Sequence, residues 1–356
     1  MEQTLPRIGN AGVGEVFDTV HARVLRFFPE LVEHLGGAPD DLLREVGLDR
    51  EPPADGRSVV TYRQLAVLMQ RASTALQCPD FGMRLAELQQ GDGMFGPLGR
   101  VMRHSRTFGD AISYVSRHAH AHSTAARIWL KPNRADRTVF VGHDILLNGV
   151  RNKAQMMEQL LLSGRYAALE ITGGWSRVRA VCFRHQPVSS ARAYRRYFGC
   201  DVLFGQGQDG VFFSERDLAR PIVNPDAKAY EAAVAFIDEH FTHRRPPLQA
   251  EVRGMIMQRL AVRTCTSDWI ARALNMHPRT LHRRLSAEGA SFQKIKDDVR
   301  RDVMLYYIQQ TDLDFTSISE KLGFAEQSVM TRTCNQWFSM SPTLLRARSR
   351  EEALAD

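Results

Sequence analysis

The feature that most constrains the fold is a segment near the C-terminus that occurs twice, 48 positions apart. Residues 269–276, "WIARALNM", align with residues 317–324, "SISEKLGF", so that apolar positions coincide. In each copy the residue after the last leucine, Asn275 or Gly323, is of a type that tolerates left-handed backbone, which a sharp turn between helices needs. The repeat therefore predicts two helix-turn-helix units.

The second helix of the first copy is predicted from the stretch "LNMHPRTLHRRLSAEG". Proline fits the first helical position because its missing N–H would have no helical partner there, so Pro278 should begin the helix. Leu281 and Leu285 then face inward. The residues that follow i, i+3, i+4, i+7 spacing face outward and are available to a ligand, namely Arg279, His282, Arg283 and Ser286.

In the second copy one additional residue makes the offset 49. Met330 and Cys334 take the inward positions, and Trp337 and Phe338 extend the apolar stripe. The outward face of this helix consists of Gln327, Ser328, Thr331 and Arg332.

Charge is concentrated in the same part of the chain. The net charge is +7, and residues 241–350 hold 18 Lys and Arg against 10 Asp and Glu. This surplus indicates an anionic partner. Prolines in "HRRPP", residues 243–247, should end the helix suggested by residues 227–241 and mark a linker.

Ahead of the linker the chain mixes two periodicities. Helical spacing is found in residues 14–35, 61–76, 97–118 and 154–172, and strand-like runs in residues 126–130, 137–146, 177–183 and 201–213. We therefore expect a mixed α+β domain at 1–240, a linker at 241–247, an all-α domain at 248–348 and a tail at 349–356.

The cysteines and the N-terminus bear on location. The five cysteines are scattered without a CxxC pair, which argues against a disulfide framework and a zinc cluster. The start of the chain lacks the pattern of a signal peptide, and no segment is apolar for long enough to span a bilayer. We expect a cytoplasmic protein with no membrane association.

Residues 248–348 resemble the DNA-binding domain of the AraC/XylS family of bacterial transcription regulators. The resemblance lies in "IARALNMHPRTLHRRLSAEGASF", in the connecting helix "VRRDVMLYYIQQTDLDFTSIS" and in the end "LGFAEQSVMTRTCNQWFSMSP". It implies an all-α domain with two helix-turn-helix units joined by a long helix, whose recognition helices enter successive major grooves of double-stranded DNA.

The resemblance assigns roles to particular residues. Base reading is expected of Arg279, His282, Arg283, Gln327, Ser328 and Arg332, because Arg matches guanine O6 and N7 and Gln matches adenine. Phosphate contacts are expected of Thr266, Ser267, Thr316 and Thr331. His277 and Ala325 stand where a capping Ser or Asp is common in the family, so each recognition helix should lose part of its cap. Cys334 replaces the usual aromatic residue, which predicts that the second unit is the weaker reader.

The N-terminal part resembles the effector domain of the ornithine-utilisation regulator branch, through residues 96–115 and 183–222. This implies a sensing and dimerising module, hence a homodimer that responds to a small-molecule effector and contacts RNA polymerase. A regulator without a ligand, whose N-terminal domain binds only itself or a protein partner, is the alternative. An enzyme fused to a DNA-binding domain is a remote one, because no catalytic constellation is apparent; we expect no enzymatic activity and no cofactor.

Three other patterns have ordinary explanations. His118, His120 and His122 have spacings that metal ligands use, but no acid or cysteine lies near them in sequence, so we expect a solvated or hydrogen-bonded cluster and no metal. The segment containing Met156, Met157, Leu160 and Leu161 should be a core helix, with a pocket wall or a dimer seam as alternatives. The glycines at 91, 93, 96 and 99 lack a phosphate-loop lysine and indicate a turn.

Overall fold

The fold is given by a computed structural model for the residues that it describes. These are 18–50, 59–90, 93–123, 125–147, 150, 152–241, 247–260, 265–311 and 313–355. Backbone proximity divides them into two compact units. The first comprises the described residues of 1–128, 150–177 and 215–246, and the second those of 129–149, 178–214 and 247–356. Most of the expected linker, residues 242–246, lies outside the described residues.

The helices and strands follow one another along the chain in this order: β1 (Thr19–His21), α1 (Phe28–His34), α2 (Pro39–Glu45), β2 (Val59–Thr61), α3 (Tyr62–Ala75), α4 (Phe81–Gln89), α5 (Gly96–His104), α6 (Phe108–His118), β3 (Ala126–Asn133), β4 (Thr138–Ile145), α7 (Ala154–Ile171), β5 (Val178–Cys182), α8 (Ala191–Phe198), β6 (Asp201–Leu203), β7 (Gly210–Ser214), α9 (Glu215–Leu218), α10 (Ala227–Phe241), α11 (Leu248–Arg259), α12 (Ser267–Ala273), α13 (Pro278–Ala287), α14 (Phe292–Gln310), α15 (Phe315–Lys321), α16 (Gln327–Phe338) and α17 (Pro342–Ala355). Short 3₁₀ turns occupy Ala22–Leu25 and Ala119–Ala121.

The first unit is mostly helical and is built around α7. Met156 and Met157 are at most 2% exposed, and Leu160 and Leu161 are also buried, so the expectation of a core helix is confirmed. α4 packs closely against α7: a Cβ on Gly82 would lie 2.0 Å from the carbonyl oxygen of Gln155. The Gln155 side chain accepts from Gly82 N at 2.7 Å and donates to the carbonyl oxygen of Pro79 at 2.7 Å. Only glycine permits this approach of the two helices.

Two of the four predicted helical segments are confirmed and two need correction. α3 and α7 match residues 61–76 and 154–172, and α3 begins at a capping box between Thr61 and Gln64. Residues 97–118 form α5 and α6, because the chain is extended at Ser105 and Thr107 between them. In 14–35 the described residues form β1, a 3₁₀ turn and α1, and left-handed Phe27 separates the turn from α1.

The predicted strands form a five-stranded sheet, most of which belongs to the second unit. Its order is β3-β4-β7-β5-β6, in which β7 pairs antiparallel with β4 and β5, and β5 pairs parallel with β6. Trp129, Phe140 and Cys182 form a small buried cluster on it, with Phe212 packed against them. Gly142 leaves room for this cluster, since a Cβ there would lie 2.2 Å from the indole of Trp129.

The chain after residue 247 is helical throughout its described part, as predicted. Its core gathers one apolar face from each of α11 to α17, and Ile270, Leu281, Val299, Ile318 and Met330 are completely buried. None of the helices in the described part of the chain is both long enough and apolar enough to cross a membrane.

Candidate nucleic-acid interface

The first helix pair is formed by α12 and α13. Thr266 caps α12 by accepting a hydrogen bond from Trp269 N at 3.2 Å, and Asn275 takes a left-handed conformation, φ 53°, in the turn. Pro278 is the first residue of α13, as predicted. Local sequence rules therefore account for both ends of the turn.

α13 presents one face to the core and the other to solvent. Leu281 and Leu285 are completely buried, whereas the predicted base-reading residues Arg279, His282 and Arg283 are exposed together on the opposite side. The exposed helix face thus displays two guanidinium groups and an imidazole within two turns.

The expectation about the cap of α13 is corrected by the structure. His277 Nδ1 accepts a hydrogen bond from Arg279 N at 3.3 Å. An imidazole nitrogen reaches the second backbone N–H of the helix as an Asp or Asn oxygen does, so the helix is capped after all.

The second helix pair is formed by α15 and α16. Asp314 caps α15 through Ser317 N at 2.8 Å, and Gly323 is left-handed in the turn, φ 67°. Met330 and Cys334 are completely buried beneath α16, so the Cys334 thiol fills the predicted core position.

Exposure on α16 follows the predicted pattern. Gln327, Ser328 and Arg332 are exposed, and Thr331 is half-buried. α16 begins one residue later than expected, because Glu326 and not Ala325 occupies the capping position. Within the described chain the Glu326 side chain accepts no capping hydrogen bond from the helix backbone.

The polar side chains at the start of α16 contact one another. The Thr316 hydroxyl donates to Gln327 Oε1 at 2.8 Å, and the Ser328 hydroxyl donates to Glu326 Oε2 at 3.1 Å. The Thr316 hydroxyl thereby orients the Gln327 amide, and its phosphate contact stays a prediction. Glu326 has no role in the pattern predicted from sequence, although an acid directly ahead of Gln327 is visible there.

The predicted phosphate ligands of the first pair lie at the start of α12. Thr266 is exposed, and its capping bond uses the hydroxyl oxygen as an acceptor, so the hydroxyl proton remains available for donation. Ser267, the first residue of α12, is half-buried. Both residues therefore lie at a helix start, where backbone N–H groups also attract anions.

α14 holds both helix pairs through two cations one turn apart. Lys296 Nζ donates to the carbonyl oxygen of Cys265 at 2.7 Å, next to the start of α12. Arg300 donates to the carbonyl oxygens of Leu322 at 3.2 Å and Gly323 at 3.1 Å, in the turn between α15 and α16. Burial lowers the pKa of both Lys296 and Arg300. These side chains position the two pairs on one helix.

α11 connects the helical part of the second unit with the sheet. Gln258 Nε2 donates to Asp144 Oδ2 at 3.2 Å, and Arg253 Nη2 lies 3.5 Å from the carbonyl oxygen of Leu147. Arg253 also pairs with Asp302 of α14 at 2.6 Å. Burial lowers the pKa of Arg253, and the Asp302 carboxylate opposes this shift. None of these three contacts was predicted from sequence.

The histidine cluster shows ordinary interactions. The His118 ring stacks on Tyr114 with centroids 4.0 Å apart, and its Nδ1 lies 2.9 Å from the Tyr114 carbonyl oxygen. In the part of the chain that the structure describes, no group of three or more His, Cys, Asp or Glu side chains is placed to hold a metal ion.

Comparisons with known proteins agree on both parts of the chain. Residues 36–222 match the family model described as the arabinose-binding domain of AraC transcription regulator, N-terminal, and residues 270–348 match a helix-turn-helix domain. The HTH-type transcriptional regulator VirS of Mycobacterium tuberculosis is 31% identical over 94% of this chain and 98% of that protein. The ornithine utilization regulator of Pseudomonas aeruginosa is 29% identical over 46% of this chain and 48% of that protein. The crystal structure of transcriptional regulator CdpR from Pseudomonas aeruginosa aligns with 90% of this chain and 98% of that one, at 19% identity and a TM-score of 0.41.

Proposed function

The chain belongs to the AraC family of DNA-binding transcription regulators, and we propose that it reads its operators with two helix-turn-helix units, α12–α13 and α15–α16. The observation that carries this proposal is the two-sided character of α13. Its leucines are completely buried while Arg279, His282 and Arg283 stand together in solvent. Such a helix can lie in the major groove without loss of its core packing.

The proposed division of labour follows side-chain chemistry. On α13, Arg279, His282 and Arg283 read bases, and on α16 Gln327, Ser328 and Arg332 do so. Arg is suited to guanine O6 and N7. Because Thr316 already donates to Gln327 Oε1, the Gln327 amide nitrogen is directed toward a base acceptor such as N7. Thr266, Ser267 and Thr331 are proposed to bind phosphate. Thr316 is proposed to alternate between a phosphate oxygen and Gln327 Oε1, because its hydroxyl has a single proton to donate.

α14 is proposed to set the spacing between the two units. Its 19 residues span about 28 Å at 1.5 Å per residue. Successive major-groove faces of B-DNA are separated by about 34 Å, a similar length. Lys296 and Arg300 of α14 form hydrogen bonds with the two helix pairs. These bonds support the proposal that one chain recognises two successive grooves.

We also propose that the N-terminal domain senses a small molecule and mediates dimerisation. The matched family model is a ligand-binding domain, which supports the first point. The contacts of Gln258 with Asp144 and of Arg253 with Leu147 provide a physical route from the sheet to the DNA-binding helices. A homodimer would bind paired sites and present two chains to RNA polymerase.

The test of DNA reading uses the full-length protein and a randomised duplex library. Wild type should enrich a defined sequence, and its affinity for that sequence should fall steeply with salt as counterions are released. Arg283→Ala should relax the preference at one or two base pairs. Arg284→Ala is a matched control, because this neighbouring guanidinium contacts Met276 Sδ at 3.7 Å and lies off the proposed reading face. Failure of wild type to enrich any sequence would contradict the proposed function.

A further inference from the structure

The start of α16 carries a negative charge on a surface that is otherwise suited to DNA. Glu326 is exposed and has extended backbone, φ −147° and ψ 154°, directly ahead of the helix. Ser, Thr, Asp and Asn at this position commonly accept a backbone N–H of their own helix. In the described chain the Glu326 carboxylate accepts no such bond, so helix capping does not explain its presence.

The carboxylate is nevertheless oriented by a neighbouring side chain. Ser328 donates its hydroxyl to Glu326 Oε2 at 3.1 Å, while Thr316 donates to Gln327 Oε1 at 2.8 Å. Consecutive side chains at the start of the helix are thus held by hydroxyl groups. The Ser328 bond uses Glu326 Oε2, and Glu326 Oε1 lies at the N-terminal end of α16, the part of a recognition helix that contacts base edges.

The chemistry of a carboxylate restricts what it can face in the major groove. An ionised carboxylate only accepts hydrogen bonds, and it is repelled by phosphates and by the acceptors of guanine and thymine. The major groove offers two amino donors, N4 of cytosine and N6 of adenine. Adenine N6 lies beside the acceptor N7, which would face the second carboxylate oxygen. Cytosine N4 has an acceptor, O6 of the paired guanine, on one side only and a C–H group on the other, so cytosine is the better partner.

Resting on the DNA-reading role proposed for α16, we propose that Glu326 selects a cytosine in the second half of the operator by accepting from its N4 amino group. Glu326 reads a donor and Gln327 an acceptor, so the two residues impose complementary requirements on adjacent bases. The carboxylate also disfavours guanine and thymine, where it would face an acceptor or a methyl group, and it disfavours adenine less strongly, because N7 lies beside the N6 donor.

The experiment compares full-length wild type, Glu326→Ala, Glu326→Gln and Glu320→Gln by selection from a randomised duplex library, followed by titration of single-base variants. Glu320→Gln is the charge-matched control, because it removes one exposed acid from α15 of the same domain. Wild type should require cytosine at one position, with a discrimination of about 5- to 150-fold, the range of about 1 to 3 kcal/mol for one base contact.

Glu326→Ala should abolish the preference at that position and leave the others intact. Glu326→Gln should move the preference toward adenine, since an amide both accepts from N6 and donates to N7. Glu320→Gln should keep the wild-type sequence. Circular dichroism establishes that each variant is folded.

Two results overturn the inference while leaving the proposed function standing. The first is a sequence selected by Glu326→Ala that is identical to that of wild type. The second is a uniform loss of affinity of Glu326→Ala on all sequences, which indicates a purely structural role. If wild type itself enriches no sequence, the DNA-reading role fails, and this inference fails with it.

Discussion

Replacement of Arg300 by alanine tests whether α14 holds the second helix pair in place. The Arg300 side chain is 17% exposed and donates to the carbonyl oxygens of Leu322 and Gly323. Its guanidinium also lies 4.8 Å from the centroid of the Phe324 ring. These three partners belong to the turn that separates α15 from α16, whereas Asp297, whose Oδ1 lies 3.9 Å from Arg300 Nη1, is on α14 itself. Arg300→Ala should therefore destabilise this helix pair more than it destabilises α12 and α13.

The magnitude follows from the interactions lost. A hydrogen bond from a charged donor contributes about 1.5 to 3 kcal/mol, and the cation–π contact about 0.5 to 1 kcal/mol. Burial lowers the pKa of Arg300, so desolvation of the guanidinium offsets part of this gain. We expect a net loss of about 2 to 4 kcal/mol. This corresponds to hydrogen exchange about 30- to 1000-fold faster in α15 and α16.

Hydrogen exchange measured by mass spectrometry on the full-length protein resolves the effect by helix. Arg301→Ala is the matched control, because Arg301 is exposed and its guanidinium lies 5.6 Å from the centroid of the Phe338 ring. It should accelerate exchange by less than about tenfold, the equivalent of about 1.4 kcal/mol. Equal acceleration by the two substitutions, or an Arg300→Ala effect spread evenly over α12 to α17, would show that Arg300 does not hold the turn.

Three further predictions concern base reading and pH. Arg283→Ala should cost about 1 to 3 kcal/mol of operator affinity and Arg332→Ala less, because α13 is anchored by leucines and α16 by methionine and cysteine; titration of wild-type and base-substituted duplexes tests the order. The hydrogen bond from Ser317 N lowers the pKa of Asp314. The ionised carboxylate therefore stabilises the fold above about pH 4, and this contribution is lost as the pH falls further. Asp314→Asn should have a lower free energy of unfolding than wild type at pH 7, and the two free energies should converge in acid. Burial lowers the pKa of His143 to about 4. As the pH falls from about 6.5 to 4, this histidine therefore binds a proton in the unfolded chain but not in the folded one, and the free energy of unfolding declines. His143→Gln should flatten this decline when the free energy is measured by urea unfolding.

Elements whose ends are set by neighbouring residues could be predicted from sequence. Pro278 begins α13 and Asn275 is left-handed in the turn before it, as the local rules require. The interruption between α5 and α6 could not be predicted in this way. There Phe108 N donates to the carbonyl oxygen of Arg220 at 2.9 Å, and Thr107 forms a bridge with Pro221. A partner more than 100 residues away decides the conformation, and helical periodicity does not contain that information.

The same distinction applies within the candidate site. The exposed faces of α13 and α16 follow from apolar spacing, which a sequence displays directly. The hydrogen bond from the Thr316 hydroxyl to Gln327 depends on how α15 packs against α16, and Arg300 on a third helix is bonded to the turn between them. Spacing therefore predicts which side chains can reach DNA. The contacts that orient these side chains depend on the tertiary structure.

The contacts between α11 and the sheet belong to a class that the sequence does not reveal. The bond between Gln258 and Asp144 joins positions 114 residues apart, and that between Arg253 and Leu147 joins positions 106 apart. Both involve buried polar groups. A buried polar group that loses its hydrogen-bond partner lowers the stability of the fold, and a new partner or a water molecule restores it. An apolar interface of the same size would resist such exchange. The polar contacts between the sheet and α11 are therefore more readily exchanged for other partners than apolar packing would be.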